Sequence, residues 1–94
     1  MLQKLDNKTV QGDGFRVFVP DIHTVVYSDG GRTARVEIEG GMTAGVVDWL
    51  VYGETLSGWY IGSRHEPMAD DDKQMVLGRI AESLHLLEMP HTIV

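Results

Sequence analysis

The chain has 94 residues, with 8 Lys/Arg against 14 Asp/Glu for a formal net charge of −6, and no cysteine. That length supports one hydrophobic core, and the lack of cysteine excludes disulfides, thiolate nucleophiles and cysteine metal sites. The acid excess disfavours contact with a phosphate backbone and favours a cationic protein partner.

The charge is uneven along the chain. Residues 1–46 hold five Lys/Arg against six Asp/Glu, a net −1, and residues 47–94 hold three against eight, a net −5. The opening MLQKLDNKTVQG has lysines at positions 4 and 8 and no apolar segment after them, so it does not read as a secretory signal. The apolar runs fall far short of the ~20 residues that a membrane-spanning helix needs. These features together imply a cytoplasmic protein with no membrane contact, folded as a single domain over residues 1–94.

In chain order, residues 1–14 read as a poorly defined lead-in with one short strand near Thr9 to Gln11, ending at the turn signal Gly12-Asp13-Gly14. Residues 15–61 are β-rich. Phe15, Val17 and Val19 alternate with Arg16 and Phe18, which suits a strand that Pro20 interrupts. Ile22 to Ser28 and Arg32 to Glu39 flank Asp29-Gly30-Gly31 and predict a hairpin. Within it, Ala34, Val36 and Ile38 share one face, and Thr33, Arg35, Glu37 and Glu39 share the other. Gly40-Gly41 is expected to break this strand. A further strand is predicted from Val46 to Tyr52, a turn at Gly53-Glu54-Thr55, and a strand from Leu56 to Ile61. A helix follows over residues 70–87: Asp70-Asp71-Asp72 can cap its first turn, Met75, Val76, Ile80, Leu84 and Leu87 recur on one side, and Pro90 stops it. His91 to Val94 fits either a short edge strand or a tail. The fold class is therefore α+β, a mainly antiparallel sheet of four to six strands with one C-terminal amphipathic helix on one face.

No cofactor or catalytic motif is present. His23, His65, His85 and His91 lack metal-ligand spacing, Asp70-Asp71-Asp72 lacks the alternating oxygens of a calcium loop, and the paired glycines lack a phosphate-loop setting. The local anomaly is Asp48, flanked by Val46, Val47, Trp49 and Leu50. A carboxylate there must be paired, hydrogen-bonded or exposed, and Arg35 or Arg16 is a candidate partner. Trp49 is expected in the core beneath the helix, while Trp59, beside Gly58 and Tyr60, suits either the core or an aromatic interface anchor.

The strand V-E-I-E, the strand V-V-D-W-L, the tryptophan in S-G-W-Y, then H-E-P-M and the helix K-Q-M-V-L-G-R-I-A-E-S-L carry a resemblance over roughly residues 25–94. Together they resemble the small immunity proteins of bacterial polymorphic-toxin and contact-dependent growth inhibition systems, in particular immunity protein family seventy-four. The resemblance implies a non-enzymatic antitoxin that binds the toxin C-terminal domain of its own system, and it carries over no catalytic residue and no cofactor. If the toxin is a nuclease, its basic cleft complements the acidic second half of this chain. Charge and aromatic placement then nominate Asp48, Glu54, Trp59, Glu66, Asp70, Asp71 and Asp72 as partner-binding residues. Two other readings stay open: a small metal-binding or hydrolytic enzyme using Asp48, Glu54 and His65, and a structural or adaptor subunit.

Overall fold

The period-two alternation of the first sixty residues builds a curled, mostly antiparallel sheet, and the 3.6-residue periodicity near the C-terminus builds one helix across one of its faces. The computed structural model describes residues 1–43 and 45–94. Its strands are β1 (Gln3–Asp6), β2 (Thr9–Gly12), β3 (Phe15–Asp21), β4 (Thr24–Asp29), β5 (Arg32–Thr43), β6 (Val46–Tyr52), β7 (Gly58–Ile61), β8 (Arg64–Pro67) and β9 (His91–Ile93), with helix α1 at Asp70–Leu86. The strand order is β1-β2-β3-β4-β5-β6-β9, with β7 joined to β5 and β8 to β7.

The α+β class is as expected, and the sheet is longer than four to six strands because both ends of the chain join it and Arg64–Pro67 adds β8. Residues 1–14 are a β-hairpin rather than a lead-in, with β2 in register against β3 from Thr9↔Phe18 to Gly12↔Phe15. At the other end β9 lies parallel to β6, Trp49↔His91 through Val51↔Ile93. A parallel neighbour needs a long crossover, and β7, β8 and α1 supply it. Pro20 falls within β3 instead of ending it, and the ladder to β4 slips between Phe18 and Asp21. The β4–β5 turn is a tight one, with Gly30 and Gly31 both at positive φ (49° and 84°), the conformation a two-residue hairpin loop demands.

The helix-side face of the sheet is a row of alternate residues, Val17, Val25, Tyr27, Ala34, Val36 and Val51, all sealed from solvent. Onto them α1 lays Val76, Ile80 and Leu84, each fully buried; burial of side chains of this size stabilises by about 1.5–3 kcal/mol apiece. Gly40 and Gly41 do not break β5, which runs on to Thr43 and pairs Gly40 with Trp49. The Trp49 ring lies where a side chain on residue 40 would be: a Cβ built there sits 3.2 Å from the indole. Glycine here marks a close approach by a neighbouring strand, not a strand end.

The helix termini also differ in detail from expectation. Its N-cap is Ala69 with no side-chain cap hydrogen bond, so Asp70, Asp71 and Asp72 do not close the first turn and complement its dipole instead. The helix ends at Leu86. Glu88 at φ 59° donates its N–H to the His85 carbonyl, and the Met89 N–H reaches the Leu84 carbonyl, a Schellman closure with a glutamate in the left-handed position usually given to glycine. Among the described residues no helix is long and apolar enough to cross a membrane.

Candidate functional site

The expected site residues fall into separate regions of this scaffold. Asp48 lies on β6 opposite Gly41, half-buried, on the face turned away from α1. Neither expected arginine reaches it: the Arg35 guanidinium sits 5.3 Å from the centre of the Tyr60 ring, and Arg16 donates from Nε to the Gln11 side-chain oxygen at 3.0 Å. Glu54 is exposed in the 3-10 turn Gly53–Thr55. Glu66 faces Trp59 across the β7–β8 ladder and lies 3.4 Å from the Arg64 guanidinium. Asp70 and Asp71 are exposed and Asp72 half-buried on the first turn of α1.

Of the two readings open for Trp59 the structure takes the core one, and Trp49, expected in the core, is only partly buried. Trp59 is 3% exposed and belongs to the core, tilted against Tyr27 with the ring centres 5.9 Å apart and the Arg32 guanidinium 3.8 Å above its ring. Its ring is not presented at the surface, where an interface anchor would stand. Trp49 shares the helix-side face with Val51 but stands at its rim, half-buried over Gly40, with its backbone N–H bonded to the Pro90 carbonyl.

The trio Asp48, Glu54 and His65 is not assembled into one centre. His65 pairs with Tyr60, which pairs with Thr33, whereas Asp48 pairs with Gly41. Positions 33 and 41 of one strand are separated by about 27 Å at ~3.4 Å per residue. Among the described residues no three His, Asp or Glu side chains are grouped to hold a metal ion.

The most tightly ordered polar cluster is one that periodicity does not reveal. From α1, Arg79 Nη1 donates to Tyr27 Oη at 2.7 Å; Tyr27 donates to Asp29 Oδ2 at 2.6 Å; and Arg32 Nε donates to Asp29 Oδ1 at 2.7 Å. Phe15 stacks on Tyr27 at 5.7 Å and lies 4.5 Å beneath the Arg79 guanidinium. Burial pushes the Asp29 carboxyl up, but the hydrogen bonds from Arg32 and Tyr27 outweigh it and hold the group below its ordinary value. The same burial, reinforced by the bond to Asp29, raises the Tyr27 phenol. This relay fastens the middle of α1 to the β4–β5 hairpin. Arg79 and Tyr27 are 52 positions apart, so no local pattern announces their contact.

A second arrangement covers the sheet face that α1 leaves open. Arg35, Glu37 and Glu39 project from β5 beside exposed Phe18 and Tyr60, half-buried Val26 and Leu50, and Tyr52, which donates its hydroxyl to Glu39. That hydrogen bond raises the Tyr52 phenol. A cleft of about 380 Å³ opens here between His23, Glu37 and Tyr52. Where β6 leaves the sheet, the Thr55 hydroxyl fills the gap before β7 joins, accepting the Glu37 N–H at 2.8 Å and donating to the Tyr52 carbonyl at 2.7 Å. Comparison of the chain with protein-family models, with curated proteins and with solved structures found no match.

Proposed function

We propose that this protein is an immunity protein of the cytoplasm that binds and neutralises a cognate toxin domain, with the acidic start of α1 meeting a basic surface on that domain. The observation that carries the reading is the placement of Asp70 and Asp71, exposed and without an ion pair among the described residues, on a helix whose orientation is fixed by the Arg79–Tyr27–Asp29 relay. Carboxylates on a helix held in place meet a cationic partner without a rearrangement of the backbone, and they steer its approach at low salt. The net −5 of residues 47–94 extends the same field around them. Glu66 and Glu54 lie on β8 and the 3-10 turn that lead to the helix. Asp48 projects from the other side of the sheet and takes no part in this surface.

The test is co-expression with the C-terminal domain of a toxin encoded directly upstream, read by rescue of growth and by pull-down. Titration calorimetry at rising salt then isolates the charge contribution. Asp70→Ala/Asp71→Ala/Asp72→Ala is expected to weaken binding at least tenfold and to flatten its salt dependence. Absence of both rescue and complex refutes the immunity reading. Rescue with an affinity indifferent to salt and to the triple replacement refutes the acidic surface alone.

A further inference from the structure

The open face of the sheet is patterned so that it complements a copy of itself. Along β5 the outward residues change sign between positions 35 and 37, from Arg35 on one side to Glu37 on the other. Neither side chain has a hydrogen-bonding or ion-pair partner among the described residues. Their neighbours follow the same division. Beyond Arg35 lies Tyr60, 38% exposed and in register with Thr33; beyond Glu37 lies Leu50, in register with Glu39. Phe18, 41% exposed, and Val26 continue the Arg35 row outward across β4 and β3.

We propose that this face is a dimer interface, in which two copies of the chain pack sheet on sheet with their β5 strands antiparallel across a two-fold axis between Arg35 and Glu37. A two-fold contact uses one patch twice, so it requires a surface whose two halves complement each other. The antiparallel placement sets Arg35 of each copy over Glu37 of the other and Tyr60 over Leu50. Packed sheets stand about 10 Å apart, the combined reach of an arginine and a glutamate side chain. Because the charge pairs lie next to the axis, the usual rotation of about 30° between packed sheets displaces them little. The tyrosine ring already beneath Arg35 holds its guanidinium at the centre of the patch. Four strand columns at ~4.8 Å and a length of ~24 Å give about 450 Å² per copy and about 900 Å² in total, at the weak end of specific interfaces. The dimer is therefore a weak, concentration-dependent one. It leaves the acidic start of α1 free on the other face.

Sedimentation velocity from 1 to 300 μM, concentrations on the scale of such a weak interface, tests the proposal by charge exchange. The wild-type chain is expected to pass from monomer to dimer, and Arg35→Glu and Glu37→Arg each to raise the dissociation constant at least tenfold. An equimolar mixture of the two variants is expected to form a mixed dimer, since each restores the opposite charge to the other. The double variant Arg35→Glu/Glu37→Arg recovers self-association by the same logic. Phe18→Lys, outside the charge pair, also disrupts the dimer, and circular dichroism establishes that each variant keeps its fold. A wild-type chain that stays monomeric throughout overturns the proposal, as do single variants that dimerise normally or a mixture that does not recover.

Discussion

Replacing Tyr27 by Phe removes one oxygen from the centre of the relay that ties α1 to the hairpin. The ring keeps its contacts with Phe15 and Trp59, so the change isolates two hydrogen bonds, one from Arg79 and one to Asp29. Bonds to charged groups contribute about 1.5–3 kcal/mol each when water cannot replace them. Here it partly can: Arg79 is half-exposed, and Asp29, 13% exposed, keeps its bond from Arg32. The expected loss is therefore about 1.5 kcal/mol in all, below the value for even one fully sequestered pair of such bonds. For a chain of this size that lowers the melting temperature by roughly 6–12 °C. Urea denaturation of the wild type, Tyr27→Phe, Arg79→Met and the double variant closes a cycle, in which the coupling between the two residues is expected to be about 1 kcal/mol. A Tyr27→Phe loss under about 0.5 kcal/mol, or strictly additive effects, would show that the relay is ornamental to stability and refute its role in holding the helix.

Asp29→Asn tests the same relay through pH. The folded carboxyl lies below its ordinary value of 3.8, so its contribution is present above that value and disappears as pH falls through the lowered one. Wild type should thus lose more stability than Asp29→Asn as pH falls below the ordinary carboxyl value of 3.8, measured by thermal melts in matched buffers. In α1, Gly78 is exposed with open space where a Cβ would stand, so Gly78→Ala should stabilise by about 0.5–1 kcal/mol. Glu88→Gly relieves the left-handed residue of the Schellman closure and should add about 1 kcal/mol; a destabilised variant in either denaturation series contradicts the geometry. Thr55→Val leaves the Glu37 N–H without its acceptor and should cost about 1–2 kcal/mol, with faster hydrogen exchange at that amide as the specific readout.

Periodicity was a sound guide wherever the neighbours of a residue lie in the same strand or helix. The opposed faces of Thr33 to Glu39, the strand Val46 to Tyr52 and the extent of α1 to within one residue follow from spacing alone, because burial on one side of a regular element imposes its own repeat. The same logic misread Gly40-Gly41, since a glycine pair that ends a strand and one that admits a tryptophan from the next strand look alike. It also undervalued residues 1–14, where Val10 is fully buried but too few residues alternate to signal a hairpin.

The candidate sites divide along the same line. Sequence alone determined the acidity of the second half, the three aspartates at the start of α1 and the charged outward row of β5, all properties of residues close together in the chain. Only the tertiary structure decided that Trp59 is core and Trp49 rim, that Asp48 and His65 stand at opposite ends of β5, and that Arg79 meets Tyr27. Those facts depend on strand order and on which stretch of sheet the helix crosses, and contacts between distant residues are fixed by packing, which leaves no repeat in the sequence to read.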